Sequence, residues 1–287
     1  MSQGPAHGKL YLVPAPLDFG CAEQAPLTDV LPQATLHIAA HLQHWICENA
    51  KTTRAYFKRL QANASASAAI SANANESASE NSLKSAPALR DPLSIQELII
   101  QELPREAHKK GDHAGSSGSF DAKPLLVAAL PENGGHSIGL CSEAGMPAVA
   151  DPGSSVVRAA HELGLEVVPL VGPVSLLLAL AASGLNGQNF AFVGYLPQDA
   201  AERKLRIAQL ESMALKTGQT QIFIETPYRN AALLAALLQN LEHNTRLALA
   251  CGLTLPSASV QCKSAKTWRQ QPPALGKDTP VVFAIGR

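Results

Sequence analysis

Three short segments rich in glycine, proline and small residues have the composition of ligand-binding loops: Val13–Gly20, Ser142–Gly153 and Val171–Ser175. Each follows an apolar run that reads as a β-strand, and ligands bind beyond the carboxyl ends of strands in open α/β sheets. Gly145 and Gly172 lack side chains, so a ligand can approach the backbone closely there. Any one of these segments could be an ordinary turn between a strand and a helix. Three of them at one predicted edge favour a shared small-molecule site.

Two of these loops lead into predicted helices that begin near Ser154 and Ser175. The free backbone N–H groups at such helix starts could bind a carboxylate or a phosphate. No GxGxxG follows a strand and no GxxxxGK[ST] occurs in the sequence, so dinucleotide and P-loop sites lose their usual support. The loops therefore predict a small-molecule site of another type.

Basic and aromatic residues are interleaved in the segment ENAKTTRAYFKRL, which could contact nucleic-acid phosphates. The alternative for any such run is a solvated helical face. For the basic residues of ERKLR we favour that alternative. The residues concerned are Lys51, Arg54, Tyr56, Phe57, Lys58 and Arg59 in the first segment, Tyr228 and Arg229 in TPYR, and Arg203, Lys204 and Arg206 in ERKLR.

A metal site is a weaker possibility. His37, His41 and His44 have helical spacing and stand close to Cys47 and Glu48, so one continuous helix could present them to zinc. If the segment from His44 is a strand, the histidines separate, and we predict no metal. The five cysteines contain no CxxC pair, and the position of Cys141 in an apolar run predicts a core residue rather than a nucleophile.

Composition restricts the class of protein. The chain has 287 residues, 46% of them hydrophobic, with 23 basic and 23 acidic side chains. That apolar content excludes a wholly disordered chain, and the zero net charge excludes a strongly basic nucleic-acid wrapper, though not a local basic groove. The N-terminal segment lacks the pattern of a signal peptide, and the longest apolar run is far shorter than the roughly 20 residues of a membrane span. We expect a reduced, cytoplasmic protein without a membrane segment.

The elements alternate between strand and helix, which predicts an α/β protein with mostly parallel pairing. Residues 61–88, of which 21 of 28 are Ala, Ser or Asn, read as a flexible insertion. The polar stretch 105–123 reads as a second mobile loop. Between them, the apolar spacing of residues 93–103 predicts a helix that docks on the body of the protein.

Several motifs together resemble the tetrapyrrole (corrin/porphyrin) methylase superfamily of S-adenosylmethionine-dependent methyltransferases. They are LYLVPAPL, SEAGMPAVADPG, VPLVGPVSLLLALAASGL, FVGYLP and IFIETPYR, in this order and at similar spacing. Within the superfamily, the sequence is most similar to the ribosomal-RNA small-subunit methyltransferase I family, and in particular to a shorter form of it. The resemblance covers nearly the whole chain outside the two polar stretches.

The resemblance implies an α/β fold with two domains, residues 8–171 and 172–287, joined near Val171–Gly172. It implies a mostly parallel sheet in the N-terminal domain, a mixed sheet in the C-terminal domain, and the cofactor S-adenosylmethionine in the cleft between the domains. It further implies a homodimer. The expected activity is 2′-O-methylation of a ribose in small-subunit ribosomal RNA.

Positions that match the family's motifs receive roles by resemblance. The implied cofactor contacts are Leu17, Glu143, Ala144, Gly145, Met146, Val174, Ser175, Glu225, Ala250, Cys251 and Val282. The expected catalytic residues are Glu48, Glu225 and Arg229, and the expected substrate contacts are Lys51, Arg54 and Tyr228. A base would assist proton loss from a ribose hydroxyl, and the candidates are Glu48, Glu143, Asp151 and Glu225. For Asp151, the sequence Asp-Pro-Gly before a helix favours a turn-and-cap role instead.

Two departures from the family's pattern leave two alternatives open. The longer relatives have Asp-Ala-Gly-Thr-Pro where this chain has Glu143 to Pro147, and they carry a further C-terminal segment. With the neutral charge, these differences allow a tetrapyrrole or another small molecule as the methyl acceptor. They also allow a protein that binds the cofactor without catalysis.

Overall fold

The computed structural model describes residues 6–18, 21–75 and 93–287. Among these residues, contacts define two compact units. The first lies within Met1–Pro16 and Pro26–Pro173, and the second within Leu17–Ala25 and Val174–Arg287. The contacts thus change from one unit to the other between Pro173 and Val174, and the division into 8–171 and 172–287 stays a prediction. No sequence pattern indicates that Leu17–Ala25 groups with the second unit.

The first unit contains a five-stranded sheet of order β3-β2-β4-β1-β5 in which every pairing is parallel. The predicted parallel sheet is therefore confirmed. Of its three inner strands, β1, β2 and β4, the last two are buried along their whole length, in agreement with their mostly apolar sequences. The strands are β1 (Lys9–Leu12), β2 (His44–Cys47), β3 (Ile99–Glu102), β4 (Ile138–Cys141) and β5 (Glu166–Pro169).

Helices cover both faces of this sheet. On one face, Trp45 packs against Phe57 with ring centroids 6.1 Å apart, in a core that also holds Leu36 and Leu60. On the other face, Ile46 belongs to a core with Val156. The helices are α1 (Leu27–Val30), α2 (Gln33–Ala40), α3 (Ala50–Asn75), α4 (Arg105–Lys110) and α5 (Ser154–Glu162), with short 3-10 turns at Ile95–Glu97, Lys123–Ala129 and Pro131–Asn133.

The two polar stretches differ from the expectation of flexible loops. Helix α3 continues from Ala50 to Asn75, so residues 61–75 are helical, in agreement with the high helix propensity of their alanines. Residues 76–88 of that stretch lie outside the described residues. The stretch 105–123 contains α4 and the buried side chain of Asp112.

The prediction of a helix over residues 93–103 is wrong. The structure has a single 3-10 turn at Ile95–Glu97, closed by hydrogen bonds from Ser94 to the Glu97 carboxylate, and then strand β3. A short apolar run fits helical and extended spacing alike, and the β-branched Ile99 and Ile100 favour the strand. Pairing with β2 decides between the two.

The second unit contains a mixed sheet of order β6-β7-β10-β8-β9. Only the β6–β7 pairing is parallel, and the three others are antiparallel. The predicted mixed C-terminal sheet is confirmed, although strand β9 and helix α9 were not predicted. The elements are α6 (Ser175–Ser183), β6 (Phe190–Tyr195), α7 (Ala200–Thr217), β7 (Thr220–Ile224), α8 (Asn230–Asn240), β8 (Arg246–Cys251), β9 (Ser259–Ser264), α9 (Ala265–Gln270) and β10 (Val281–Gly286), with a 3-10 turn at Pro227–Arg229.

The second sheet also has a core on each face. Phe223 and Phe283 stack with centroids 5.9 Å apart in a core that α7 and α8 complete. Helix α6 covers the opposite face with Leu180, which packs against small residues such as Ala248. Within residues 6–18, 21–75 and 93–287, every helix is too short or too polar to cross a membrane.

Candidate active site

Three loops meet at the carboxyl edge of the first sheet. The backbones of Ala15 and Gly145 exchange two hydrogen bonds, of 2.9 and 3.0 Å, which join the loop after β1 to the loop after β4. A Cβ added to Gly172 would lie 2.2 Å from Cγ of Pro14, so the loop after β5 touches the same segment. The strand order β4-β1-β5 explains this convergence, because the loop after β1 lies between the other two.

The loop after β4 has a constrained backbone. Gly145 has φ +75°, and the non-glycine residues Ala148 and Ala150 have φ of 63° and 67°. Left-handed alanines cost free energy and persist only where the surroundings hold them. The hydroxyl of Ser142 donates to the carbonyls of Ala144 and Gly145, at 3.2 and 3.3 Å. This loop contains four of the residues that the resemblance assigns to the cofactor, Glu143 to Met146.

Carboxyl groups gather beside these loops. Glu48 directly follows β2, and its side chain is only 9% exposed. Burial, with the neighbouring charges of Asp151 and Glu143, raises the pKa of Glu48 to about 8. Burial likewise raises the pKa of Asp151 to about 7, although a hydrogen bond with Ser142 opposes the change. Three acids from two loops thus form one acidic cluster (Glu48, Glu143 and Asp151), in which Glu48 and Asp151 titrate near neutral pH.

Glu48 has an incompletely satisfied side chain. Its Oε1 is buried and accepts no hydrogen bond from the described residues. Its Oε2 lies 3.7 Å from Nδ1 of His108 on α4. A buried carboxyl oxygen without a donor favours the protonated form, or a ligand that donates a hydrogen bond.

Two residues of this site were not predicted. His108 and Asp112 both come from the stretch that reads as a mobile loop, and no motif marks them. Asp112 caps helix α5 by accepting hydrogen bonds from the backbone N–H groups of Gly153 and Ser155. Asp151, for which the sequence favours a turn-and-cap role, has no such contact with the helix and faces Ser142 instead.

The basic segment of α3 divides into an exposed and a buried side. Lys51, Arg54 and Lys58 are exposed and share one face by their helical spacing. Tyr56 donates a hydrogen bond of 3.1 Å to the carbonyl of Pro14, and Phe57 is buried in the core. These two rings therefore stabilise the fold and cannot stack on bases. In α7, Lys204 is exposed while Arg203 and Arg206 are half-buried.

In the second unit, the predicted catalytic pair is an ion pair. Arg229 Nη2 lies 2.6 Å from Oε1 of Glu225, and Arg229 Nε donates to the same oxygen at 3.1 Å. The backbone N–H of Thr226 donates to it as well, at 2.8 Å. Glu225 is therefore buried and engaged, whereas the neighbouring Tyr228 is 68% exposed.

Most of the second unit's predicted cofactor residues lie close together. Val282 on β10 is paired with Ala250 on β8 and with Ile224, the residue before Glu225. Val174, at the start of α6, packs against the apolar cluster that contains Ala250 and Val282. Further members of the predicted set are Ser175, the first residue of α6, Cys251, the last residue of β8, and Leu17, which groups with the second unit.

The histidines do not form one helical face. Helix α2 ends at Ala40, His41 follows it, and His44 begins strand β2. In the part of the chain that the structure describes, there is no group of three His, Cys, Asp or Glu side chains that could hold a metal ion. Cys141 is fully buried in β4, as a core residue would be.

Comparisons with known proteins agree with these features. The family model of Tetrapyrrole (Corrin/Porphyrin) Methylases matches residues 79–265. The chain is similar to "Ribosomal RNA small subunit methyltransferase I" of Mesorhizobium japonicum, with 40% identity over 134 residues, which are 47% of this chain and 44% of that protein. The protein of the same name from Haemophilus influenzae is 33% identical over 166 residues, 57% of this chain and 56% of that protein. The chain thus matches about half the length of these relatives.

The fold has a counterpart among solved structures. The crystal structure of the methyltransferase CobJ superposes with a TM-score of 0.50 and 14% identity, and the match covers 98% of this chain and 94% of that chain. At this identity, the similarity concerns the fold alone.

Proposed function

This chain belongs to the tetrapyrrole (corrin/porphyrin) methylase family, and we propose that it transfers a methyl group from S-adenosylmethionine to a ribose 2′-hydroxyl of small-subunit ribosomal RNA. The observation that carries the proposal is the convergence of three loops at one sheet edge beside the buried carboxyl of Glu48. The names of the curated relatives support the choice of ribosomal RNA as acceptor.

The loop after β4 suits the proposed donor in size and charge. Ala144 and Met146 are half-buried, and the small side chain of Ala144 leaves room for a ligand, whereas Gly145 is buried and paired with Ala15 through both of its backbone groups. A cationic ligand bound beside the acidic cluster of Glu48, Glu143 and Asp151 would favour the ionised forms of Glu48 and Asp151, whose pKa values are raised to about 8 and about 7 mainly by burial. When bound, S-adenosylmethionine supplies a methyl group that is already activated by its positive sulfur. We propose Glu143, Ala144, Gly145 and Met146 as its contacts in the first unit, and the contacts implied in the second unit stay predictions.

Glu48 is the residue that we propose as general base. A ribose hydroxyl is a weak acid, so a nearby base that takes its proton assists the reaction. With a pKa of about 8, the Glu48 carboxylate is a stronger base than an ordinary glutamate and is still partly ionised at neutral pH. Its Oε1 is buried and makes no hydrogen bond to the described residues, and we propose that a bound ribose hydroxyl donates to this oxygen.

Glu225 is a poorer candidate for the base. Its Oε1 already accepts hydrogen bonds from Arg229 and from the backbone of Thr226. We propose that the ion pair fixes the segment that presents the exposed Tyr228 to the substrate.

Contacts to the RNA backbone are assigned to α3. Lys51 and Arg54 are exposed in its first turns, directly after Glu48 and Asn49. The Asn49 side chain accepts the backbone N–H of Lys51 at 2.9 Å, and this cap fixes the start of the helix beside Glu48. Phosphates bound by these two cations would lie near the proposed base.

We further propose a homodimer, as the resemblance implies. Large apolar side chains of the second unit are exposed on α6 and on the edge strand β6, among them Leu177 and Phe192. Exposed apolar groups of this kind are typical of association surfaces. Sedimentation velocity tests the proposal, and a monomer at micromolar concentration would contradict it.

Methyl transfer can be measured directly. Small ribosomal subunits from a strain that lacks this protein are incubated with S-adenosylmethionine labelled in the methyl group, and the RNA is digested and separated by mass spectrometry. We expect one labelled 2′-O-methyl nucleoside. The variant Glu48→Gln should lower kcat by about a hundredfold or more, while Glu132→Gln, at an exposed position of the same unit, should leave it unchanged. Label found only in small molecules, or absent altogether, would refute the proposed acceptor.

A further inference from the structure

Asp112 caps helix α5, whose own N-cap residue cannot do so. Its side chain is only 2% exposed. The N-cap position of α5 is Gly153, which has no side chain that could accept a hydrogen bond. Instead, the Asp112 carboxylate accepts from the backbone N–H groups of Gly153 at 3.0 Å and Ser155 at 2.9 Å, and from the Ser154 hydroxyl at 2.8 Å. The start of α5 therefore depends on a carboxylate about forty positions earlier in the chain.

The segment around Asp112 is itself attached to α5. The Asp112 carbonyl accepts hydrogen bonds from the Ser155 hydroxyl at 2.7 Å and from Nη2 of Arg158 at 2.9 Å. Arg158 also donates to Oγ of Ser119 at 3.0 Å. The side chain and the backbone of Asp112 thus both bind the start of α5. Asp112 is therefore fixed on the helix and can hold the end of the loop that leads into α5.

The loop Met146–Pro152 has a backbone that must be held at both ends. Its left-handed residues Ala148 and Ala150 are in a conformation that alanine rarely adopts. The first end is fixed where Gly145 pairs with Ala15, and the second end is fixed where Gly153 donates to Asp112. Within the loop, the described residues provide only two backbone hydrogen bonds, of 3.2 and 3.3 Å.

We propose that Asp112 is a positioning residue for the methyl donor, because it clamps the far end of the loop that we assign to that donor. The inference rests on the proposed function and adds a specific residue to it. Without the clamp, the left-handed alanines relax, and Met146, the assigned donor contact that lies beyond the pairing of Gly145 with Ala15, is no longer held in the arrangement that binds the donor. Asp112 itself does not touch the reacting atoms.

The test uses the full chain and the variant Asp112→Asn, which keeps the size of the side chain and removes its charge and one acceptor. Asp121→Asn is the matched control, because Asp121 caps the backbone N–H of Lys123 at 3.1 Å in the same segment but on the surface. Hydrogen–deuterium exchange is followed over residues 146–155. Donor affinity is measured by calorimetry with S-adenosylmethionine, and KM is measured for donor and RNA.

We expect Asp112→Asn to raise exchange within residues 146–155 at least tenfold and to weaken donor binding at least tenfold. The KM for the donor should rise while the KM for RNA stays within twofold, which general destabilisation would not produce. Asp121→Asn should match the wild type. Unchanged exchange would overturn the clamp, and faster exchange with unchanged donor affinity would overturn the positioning role. If the wild type itself binds no donor, the proposed function fails, and the positioning role fails with it.

Discussion

Replacement of Glu48 by Gln should change how stability depends on pH. In the folded chain, the pKa of Glu48 lies at about 8, against an ordinary value of 4.5. Between these two values the folded chain binds more protons than the unfolded chain, so the free energy of unfolding falls as the pH rises. Well below pH 4.5, Glu48 is protonated in both states, so its titration does not change the free energy of unfolding.

The size of the effect follows from the displacement of the pKa. One pH unit corresponds to about 1.36 kcal/mol, so the displacement of Glu48 corresponds to about 3–5 kcal/mol, the lower figure allowing for rearrangement around the ionised group. The glutamine side chain in the variant would resemble the protonated acid and would not titrate. The variant should therefore match the wild type near pH 5 and exceed its stability by about 3–5 kcal/mol near pH 8.5.

The assay can report on the first unit alone. The chain has two tryptophans, of which Trp45 lies in the first unit and Trp268 in the second. In a Trp268→Phe background, the fluorescence of Trp45 follows urea unfolding of the first unit. Glu132→Gln is the control, because that side chain is exposed. If Glu48→Gln and the wild type lose stability in parallel from about pH 5 to about pH 8.5, Glu48 does not carry the raised pKa and loses its main qualification as the base.

Two further changes test the surface and the packing. Replacing Lys51 and Arg54 together by Ala should weaken binding to small-subunit RNA at least tenfold and reduce the slope of log K against log salt by about 1.4–1.8. The control variant Lys204→Ala should change neither the affinity nor the slope. Equal losses of affinity in the two variants would assign the effect to net charge. Gly172→Ala places a Cβ 2.2 Å from Pro14 and should lower the free energy of unfolding by about 1–3 kcal/mol. Gly187→Ala, where a Cβ meets nothing within 4 Å, should change it by less than about 0.5 kcal/mol, and equal values for the two would contradict the close contact.

Local patterns in the sequence determine most elements of this fold. Short, mostly apolar runs such as His44–Cys47 and Ile138–Cys141 read as buried strands, and both are inner strands of the parallel sheet. Glycine after an apolar helical run marks the end of α6, where Gly184 adopts a left-handed conformation. These signals can be recognised because each depends on neighbours a few positions apart. The prediction for segment 93–103 failed because its spacing fits both a helix and a strand, and pairing with β2 made the choice.

The sequence predicts only some features of the candidate site. The three small-residue loops could be placed at one edge because parallel strands bring their carboxyl ends together. The raised pKa of Glu48 could not be foreseen, because burial and proximity to Asp151 depend on how two loops pack. The same holds for Asp112, whose polar surroundings predict a loop and whose partners lie about forty positions away. Sequence periodicity determines which residues face a core, but contacts between distant loops arise only when the chain has folded around them.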